Sequence, residues 1–137
     1  MKKLKLTILS PESVILKEKS VDYVSLPAFE GSMGVLPGHA KAVVQLGHGI
    51  LHYTAENKRD EFAVLGGYAE VYKDDVTVLA EEAALAEEIN EEEEKQKIAK
   101  ARAALSSRDA DIDFELAEIE LKASLMKMRL KNRQSRN

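Results

Sequence analysis

Over the first part of the chain, apolar and polar residues alternate along short stretches, which is the period of a half-buried β-strand. In "KLKLTIL", Leu4, Leu6 and Ile8 alternate with polar side chains. The segments "GILHYTA" and "EFAVLGG" flank the polar turn "ENKRD", and "YAEVYKDDVTVLA" bends at Lys73–Asp75, so two hairpins are predicted. Strand after short strand, separated by Gly and Pro, predicts an antiparallel β-sandwich or barrel in this half.

The second part of the chain has a composition that favours helices. Neither Gly nor Pro occurs after Gly67, and Ala, Glu, Lys, Leu and Arg dominate. The polar segment "SSRDAD" at 106–111 divides this part into two predicted helices of similar length. The first helix begins at "INEEEEKQK", where Asn90 is a suitable N-cap and Glu93 completes a capping-box pattern.

The second predicted helix, from about Ile112, carries apolar residues on two opposite faces. One face follows a heptad-like spacing, and the other lies roughly 180° away from it at about 100° per residue. The two faces comprise Ile112, Leu116, Ile119, Ala123, Met126 and Leu130, and Phe114, Ala117, Leu121, Leu125 and Met128. One neighbouring helix covers only one of them, so the other face either packs on the β unit or serves a different partner in a different conformation.

The charges along this second helix are sorted by sign. Aspartate and glutamate end at Glu120, and only basic residues follow. The basic run consists of Lys122, Lys127, Arg129, Lys131, Arg133 and Arg136. Cations are locally favourable at a helix C-terminus, and a run without counter-charges also suits docking on an acidic protein surface.

Composition limits the classes of function. A length of 137 residues corresponds to about one domain, and a net charge of −4 provides no global basic field for a nucleic acid. The absence of cysteine removes a disulfide framework, a thiolate nucleophile and a cysteine-based zinc site. No apolar run approaches the ~20 residues of a membrane span, so we expect any association with a membrane to go through partners.

The sequence offers no constellation for catalysis or for a cofactor. His48 and His52 lie four residues apart in a strand-like stretch with no acidic or cysteine partner nearby in sequence, which is a weak pattern for a metal. No serine stands in a nucleophile-elbow pattern, and "LGGY" and "GSMG" lack the spacing of a phosphate loop. We therefore expect a non-catalytic protein that holds neither a metal nor a cofactor.

The segment "GSMGVLPGHA" at 31–40 presents apolar side chains from a backbone bent by glycines and a proline. A surface loop usually carries polar residues between its turn residues, so apolar residues there indicate a partner. Together with "FAVLGGYAEVYKDDVTVLAEEA" and a helical hairpin, this segment closely resembles the ε subunit of bacterial F-type ATP synthases. The similarity runs through the whole chain in order.

The resemblance implies a ten-stranded β-sandwich, here residues 1–82, followed by a regulatory two-helix hairpin, here residues 83–137. In that family the sandwich lies at the foot of the rotating central stalk, bound to γ and to the membrane ring of c subunits. The hairpin folds down on the sandwich or extends along γ and blocks ATP hydrolysis. The chain is thus expected at the cytoplasmic face of the bacterial cell membrane, as a rotor subunit that couples ion flow to ATP synthesis.

The resemblance also assigns roles to residues by position. The c-ring contact maps to Glu30, Gly31, Ser32 and Met33, and the γ contact maps to Pro37, Gly38, His39 and Ala40. Many relatives carry an acidic residue where Ser32 stands, so an ion pair to the ring is not carried over at this position. The basic residues expected to engage acidic surfaces of the catalytic α and β subunits, when the hairpin extends, are Lys122, Lys127, Arg129, Lys131 and Arg133.

Relatives that bind ATP on the folded hairpin carry an I/L-D-x-x-R-A motif at the start of the first helix. Its four defined positions correspond to Ile89, Asn90, Glu93 and Glu94. Only the isoleucine matches, and Ala123 and Lys127 stand where such relatives place arginines on the second helix. We therefore expect no nucleotide site. The alternative interpretation of the chain is a stand-alone nucleotide-sensing module with a mobile helical clamp, which acts independently of a rotor.

Overall fold

A computed structural model of the chain describes residues 2–109 and 111–135, without the side chains of residues 134 and 135. The chain divides into two compact units, Met1–Ala84 and Leu85–Asn137. The division falls two residues after the boundary that the composition indicates. Strands build the first unit and helices build the second.

In the described part of the first unit, eight strands join into one hydrogen-bonded sheet. They are β1 (Leu4–Leu9), β2 (Val14–Val21), β3 (Tyr23–Ala28), β4 (Gly31–Val35), β5 (Ala42–Gln45), β6 (His48–Ala55), β7 (Lys58–Tyr72) and β8 (Asp75–Leu85). Their order is β2-β1-β8-β7-β6-β3-β4, and β5 pairs with β7. The sheet is not wholly antiparallel, because β1 runs parallel to β8 with Leu6 opposite Val76. A parallel pair needs a long connection, and here the rest of the unit provides it.

The strand β7 turns this sheet into a sandwich. Its first half pairs with β6, and its second half pairs with β5. Between the halves, Gly66 and Gly67 have φ values of 70° and 108°, which L side chains rarely adopt. The strand β7 continues through this bend as one strand, and the described residues form eight strands and not the ten that the resemblance implies. The fully buried core includes Leu4, Leu6, Ile8, Val24, Leu26, Leu51, Val64, Val71 and Val76.

Both predicted hairpins are present, with shorter turns than the polar segments indicate. Glu56 and Asn57 join β6 to β7 with φ values of 51° and 66°, and Lys73 and Asp74 join β7 to β8 with φ values of 47° and 65°. Two central residues at positive φ match the twist of the flanking strands. The remaining polar residues of each predicted turn therefore belong to the strands.

The second unit contains a short 3₁₀ turn at Ala86–Glu88 and two helices, α1 (Glu91–Ser106) and α2 (Phe114–Ser135). The predicted N-cap of α1 is confirmed, because Asn90 Oδ1 accepts a hydrogen bond from Glu93 N at 3.0 Å. Asp113 caps α2 in the same way, accepting from Leu116 N at 3.0 Å. This cap explains why α2 begins two residues later than the predicted start.

The two helices pack against each other, but neither predicted apolar face of α2 is buried as a whole. The buried positions of α2 are Ala117, Ser124, Lys127 and Leu130. Leu116 and Ile119 on one predicted face, and Phe114 and Leu125 on the other, remain exposed. The buried face in the described part of α2 thus takes one residue from each predicted stripe, Leu130 and Ala117, and two polar residues from between them, Ser124 and Lys127. Within the described ranges, neither helix is long and apolar enough to cross a membrane.

Candidate functional site

The tip of the hairpin formed by β3 and β4 carries the residues predicted to contact the c ring. Ala28 pairs with Gly31, which leaves Phe29 and Glu30 as a two-residue turn. Gly31 has a φ of 139°, which glycine adopts at low cost. Phe29 is 69% exposed and Glu30 is also exposed. The tip therefore presents an aromatic side chain beside a carboxylate. Sequence reasoning missed Phe29, although its place directly before the "EGSMG" segment was the available signal.

The loop after β4 carries the residues predicted to contact γ. Gly38 has a φ of 87°, and its N–H donates to Asp74 Oδ1 at 2.7 Å. His39 N donates to Leu36 O at 3.1 Å, and this turn leaves the Leu36 side chain exposed. His39 Nδ1 lies 2.7 Å from Ala40 O, so Nδ1 carries a proton, because a carbonyl oxygen only accepts. The loop is thus held in a fixed turn with an exposed leucine at its start.

The strand β4 separates these two predicted contact sets. Its five residues, Gly31–Val35, place its ends about 13 Å apart at ~3.3 Å per residue. Along it, Ser32 is exposed and Met33 is half-buried, and Pro37 beyond its end is also half-buried. The structure therefore does not bring the two sets together but places them towards opposite ends of one strand.

An open groove of about 390 Å³ lies in the first unit where the middle of β8 passes the bend of β7, beside the end of β1. Leu9, Pro11, Tyr68 and Leu79 provide much of its lining, and Tyr68 and Leu79 are exposed. Contiguous apolar surface of this kind is typical of a contact with another protein. The sequence pattern does not single it out, because these residues come from three strands and a connection that only the fold brings together.

One of the two strand histidines, His52, has an acidic neighbour across the β6–β7 hairpin, whereas His48 pairs with Leu65. His52 on β6 pairs in register with Glu61 on β7, and its ring lies 5.9 Å from that of Tyr23. Arg59 Nη2 lies 3.6 Å from Glu61 Oε2. Cross-strand register produces this neighbourhood, so the spacing of His48 and His52 alone does not reveal it. In the part of the chain that the structure describes, no group of three His, Cys, Asp or Glu residues could hold a metal.

The four positions of the altered nucleotide motif stabilise the start of α1. Ile89 is buried and Asn90 caps the helix. Glu93 is exposed, and its carboxylate lies 3.6 Å from Lys97 Nζ one turn later. Glu94 is turned inward and buried. The motif positions that would contact a nucleotide in the ATP-binding relatives are thus used here for helix capping and for ion pairs.

Glu94 forms the centre of a buried ion-pair group between the helices. Its Oε1 lies 3.7 Å from Lys127 Nζ on α2 and 3.5 Å from Lys97 Nζ on α1. The Glu94 and Lys127 side chains are only 6% and 11% exposed. Burial by itself would lower the pKa of Lys97, but the carboxylates of Glu94 and Glu93 outweigh it, so that pKa is raised. Sequence reasoning considered Glu94 and Lys127 in separate roles and missed the pair.

The predicted basic residues do not share one face of α2. Lys122 is exposed, and its Nζ lies 3.1 Å from Glu118 on the same helix. Lys127 points towards Glu94, and Lys131 Nζ donates to Ala86 O at 3.1 Å. Two residues are exposed and lie further along the helix: Arg129 and Arg133. Arg136 of the same run lies outside the described residues. In this conformation the run divides between inward and outward positions.

Comparison with known proteins identifies relatives over both units. The family described as "ATP synthase, Delta/Epsilon chain, beta-sandwich domain" matches residues 3–86. An ATP synthase epsilon chain of Elusimicrobium minutum is 51% identical over 110 residues, which cover 80% of this chain and 82% of the relative. One of Symbiobacterium thermophilum is 37% identical over 129 residues, which cover 94% of this chain and 93% of the relative.

Two solved structures share the fold. A chain in the cryo-EM structure of the Euglena gracilis mitochondrial ATP synthase, OSCP/F1/c-ring in rotational state 1, superposes with a TM-score of 0.81 at 32% identity. That match covers 93% of this chain and 80% of the other. A chain in the central stalk/c-ring structure of the Tetrahymena thermophila mitochondrial ATP synthase matches with a TM-score of 0.59 at 16% identity, which shows the fold alone.

Proposed function

This chain belongs to the ε-chain family of ATP synthases, and from that membership we propose how its two units act in the rotor. It is a central-stalk subunit of the F-type ATP synthase. In the proposal, residues 1–82 bind the γ subunit and the c-subunit ring, and residues 83–137 regulate ATP hydrolysis. The observation that carries the proposal is the similarity to an ATP synthase epsilon chain over 94% of this chain.

The chain acts within the ATP synthase complex at the cytoplasmic face of the bacterial cell membrane, which it reaches only through its partners. It transmits torque between the c ring and γ while ion flow through the ring drives rotation. It performs no covalent chemistry itself, so catalysis belongs to the α and β subunits. It acts without a cofactor, a metal or a nucleic acid.

The β3–β4 tip is the proposed contact with the c ring, through Glu30, Gly31, Ser32 and Met33. Two features support this assignment. The tip is a tight two-residue turn, and it exposes a large apolar side chain, Phe29, beside Glu30. Exposed apolar groups on a tight turn are typical of a binding surface. We add Phe29 to the proposed contact.

The loop from Pro37 to Ala40 is the proposed contact with γ, and a charge reversal tests it. His39→Asp should weaken the retention of γ about 10-fold or more, because an unpaired carboxylate in an interface costs on the order of a few kcal/mol. The measurement is the amount of γ that copurifies with the tagged variant. The thermal midpoint of the isolated variant should stay close to that of the wild type.

Asn57→Asp is the matched control for this charge change. Asn57 lies in the exposed β6–β7 turn at a positive φ that aspartate also tolerates. This variant should keep γ. If His39→Asp retains γ as the wild type does, the loop is not the γ contact. A wild-type chain that leaves cells without γ and the αβ subunits would favour the alternative function, a stand-alone nucleotide sensor.

The hairpin is the proposed brake on ATP hydrolysis, and truncation tests it. Deleting the residues from Asp109 onward removes α2 with its basic residues, so the soluble complex should hydrolyse ATP faster. The membrane complex should still synthesise ATP, because the sandwich still binds γ and the c ring in this proposal. Deleting only residues 134–137 is the control and should change hydrolysis little. Unchanged hydrolysis after the long deletion would show that the hairpin has no braking role in this protein.

A further inference from the structure

We propose that Glu94 and Lys127 form a clasp that closes the helical hairpin without a nucleotide. The term clasp denotes this one ion pair between α1 and α2. Closure is a property of this chain alone. Its consequence for ATP hydrolysis rests on the proposed function of the hairpin as a brake.

The clasp lies at the end of the hairpin opposite the connection between the helices. Glu94 lies in the first turn of α1, and Lys127 lies in the C-terminal half of α2. The helices are joined at the other end of the hairpin, through the segment 107–113. The clasp therefore ties the end that the connection leaves open. Lys131 adds a second tie at this end, because its Nζ donates to Ala86 O at 3.1 Å.

The burial of Glu94 makes the pair selective for the closed state. Its carboxylate is 6% exposed, and among the described atoms Oε2 is buried without a hydrogen-bond partner. A carboxylate in such a place is tolerated only while cations lie beside it. Lys97 supplies one cation from the same helix, so it stays with Glu94 whether the hairpin is open or closed. Only Lys127 comes from the other helix.

Packing of apolar side chains between the helices is limited. In the described part of α1, the buried residues are Glu94 and Ala101, and the described part of α2 buries Ala117, Ser124 and Leu130 besides Lys127. Leu130 is the one large apolar side chain among these residues, and the small side chains bury little apolar area and so add little to the free energy of closure. Much of the specificity of closure therefore falls on the ion pair.

The clasp links closure to the proposed brake through one lysine. In the closed hairpin, Lys127 is paired with Glu94 and is only 11% exposed. The same lysine belongs to the basic run proposed to engage acidic surfaces of the catalytic subunits. It cannot be buried beside Glu94 and docked on a partner at once. The two conformations thus compete for Lys127, and the partner must supply the negative charge that Glu94 supplies in the closed state.

Amide hydrogen exchange in the purified full-length chain tests the clasp. Helices of this length are marginal when separated, so opening speeds exchange in α1 and α2 relative to the sheet. The variants are Glu94→Gln, Lys127→Met and the double variant. Each single substitution should raise the opening equilibrium on the order of 10-fold, because it removes the attraction between the two helices and leaves the remaining buried charge less well paired. The double variant should open far less than the product of the two single effects.

Lys122→Met is the matched control. Lys122 lies on the same helix, but it is exposed and its ion pair with Glu118 is within α2. It should change opening by less than about threefold, as expected for a surface pair. The clasp is wrong if Lys127→Met opens the hairpin no more than this control. It is equally wrong if the double variant opens by the product of the single effects, because only packing would then be lost.

The rate of ATP hydrolysis by the complex tests the proposed brake independently of the proposed clasp. With both ideas right, Glu94→Gln opens the hairpin in the isolated chain and slows ATP hydrolysis by the complex, because it breaks the ion pair and leaves every basic residue of the run in place. Faster exchange with an unchanged hydrolysis rate would support the clasp and reject the brake. Unchanged exchange would reject the clasp, whatever the truncation of the hairpin does to hydrolysis.

Discussion

At the scale of single residues, Tyr53 gives the sheet a dependence on alkaline pH. Its side chain is buried, and burial together with the charge and the hydrogen bond of Asp60 raises its pKa to about 12 from 10.0. The native state thus favours the protonated phenol more than the unfolded state does. This contribution to stability is complete below about pH 10 and is lost as the pH rises through about 12, by about 3 kcal/mol in all.

Tyr53→Phe tests this contribution, because it removes the titrating hydroxyl and keeps the ring. The wild type should lose free energy of unfolding between about pH 10 and pH 12, and the variant should lose clearly less in the same window. Urea unfolding at several pH values measures both. Tyr68→Phe removes a hydroxyl from an exposed site and serves as the control. If the free energy of unfolding falls equally with pH in the wild type and in Tyr53→Phe, Tyr53 is not the source of the alkaline pH dependence.

Single residues also show where sequence reasoning stops. Asn90 could be predicted as an N-cap because a cap acts over three residues of its own segment. The Glu94–Lys127 pair could not, because helix packing brings these residues together from distant segments. The His52–Glu61 register could not either, because it depends on the length of the turn between the two strands of the predicted hairpin. The exposure of Phe29 could be predicted only in part. It depends on the length of the β3–β4 turn, which the local sequence limits but does not determine.

At the scale of elements, the bend of β7 is the feature on which the sandwich depends. A Cβ at Gly67 would lie 2.0 Å from Leu79 O, and its φ is 108°. Gly67→Ala therefore forces β8 away from β7 and strains the backbone. The loss should exceed about 3 kcal/mol, beyond the range of ordinary substitutions. Chemical unfolding of the isolated chain measures it.

Gly38→Ala separates strain from steric overlap. Gly38 also has a positive φ, of 87°, but a Cβ there meets no atom within 4 Å. Its cost should be strain alone, about 1–2 kcal/mol. A loss at Gly67 no larger than the loss at Gly38 would mean that β8 accommodates the methyl group, and that the bend does not need glycine for its close approach.

A helix or strand could be predicted where its burial pattern depends on its own sequence alone. The alternation of Leu4, Leu6 and Ile8 predicts β1 because one face of that strand is buried. The stripes of α2 were misleading because partner geometry, and not the hydrophobicity of α2 itself, selects the buried face. In the closed hairpin, α2 contacts α1 through Lys127, buries Leu130 nearby, and leaves Leu116 and Ile119 exposed.

At the scale of the whole molecule, the order of a strand-rich part and a helix-rich part follows directly from composition. The strand pattern alone leaves a sandwich or a barrel, and the resemblance to ε subunits selects the sandwich. The function of each part does not follow from composition. The family match reaches residue 86, and whether the hairpin that follows responds to ATP depends on a few side chains. These side chains decide the last prediction.

ATP brings several negative charges, which the relatives that bind it meet with arginines whose planar forks hold phosphate oxygens. Here Glu93 and Glu94 place carboxylates at the start of α1, and Ala123 offers no donor. The cation that remains, Lys127, is already beside Glu94 at 3.7 Å. A phosphate would have to displace that carboxylate and would leave it buried and less well paired.

We therefore predict that the isolated chain binds Mg²⁺-ATP weakly or not at all. Each lost charge-assisted hydrogen bond is worth ~1.5–3 kcal/mol, so two or three losses shift a micromolar site towards millimolar. Titration calorimetry decides the question, and a dissociation constant tighter than ~100 μM, about −5.5 kcal/mol, would contradict the prediction. Glu94→Ala is the informative comparison, because it restores the residue type of the family motif at this position and releases Lys127 for a phosphate. Tighter binding by this variant than by the wild type would show that Glu94 excludes the nucleotide from the hairpin.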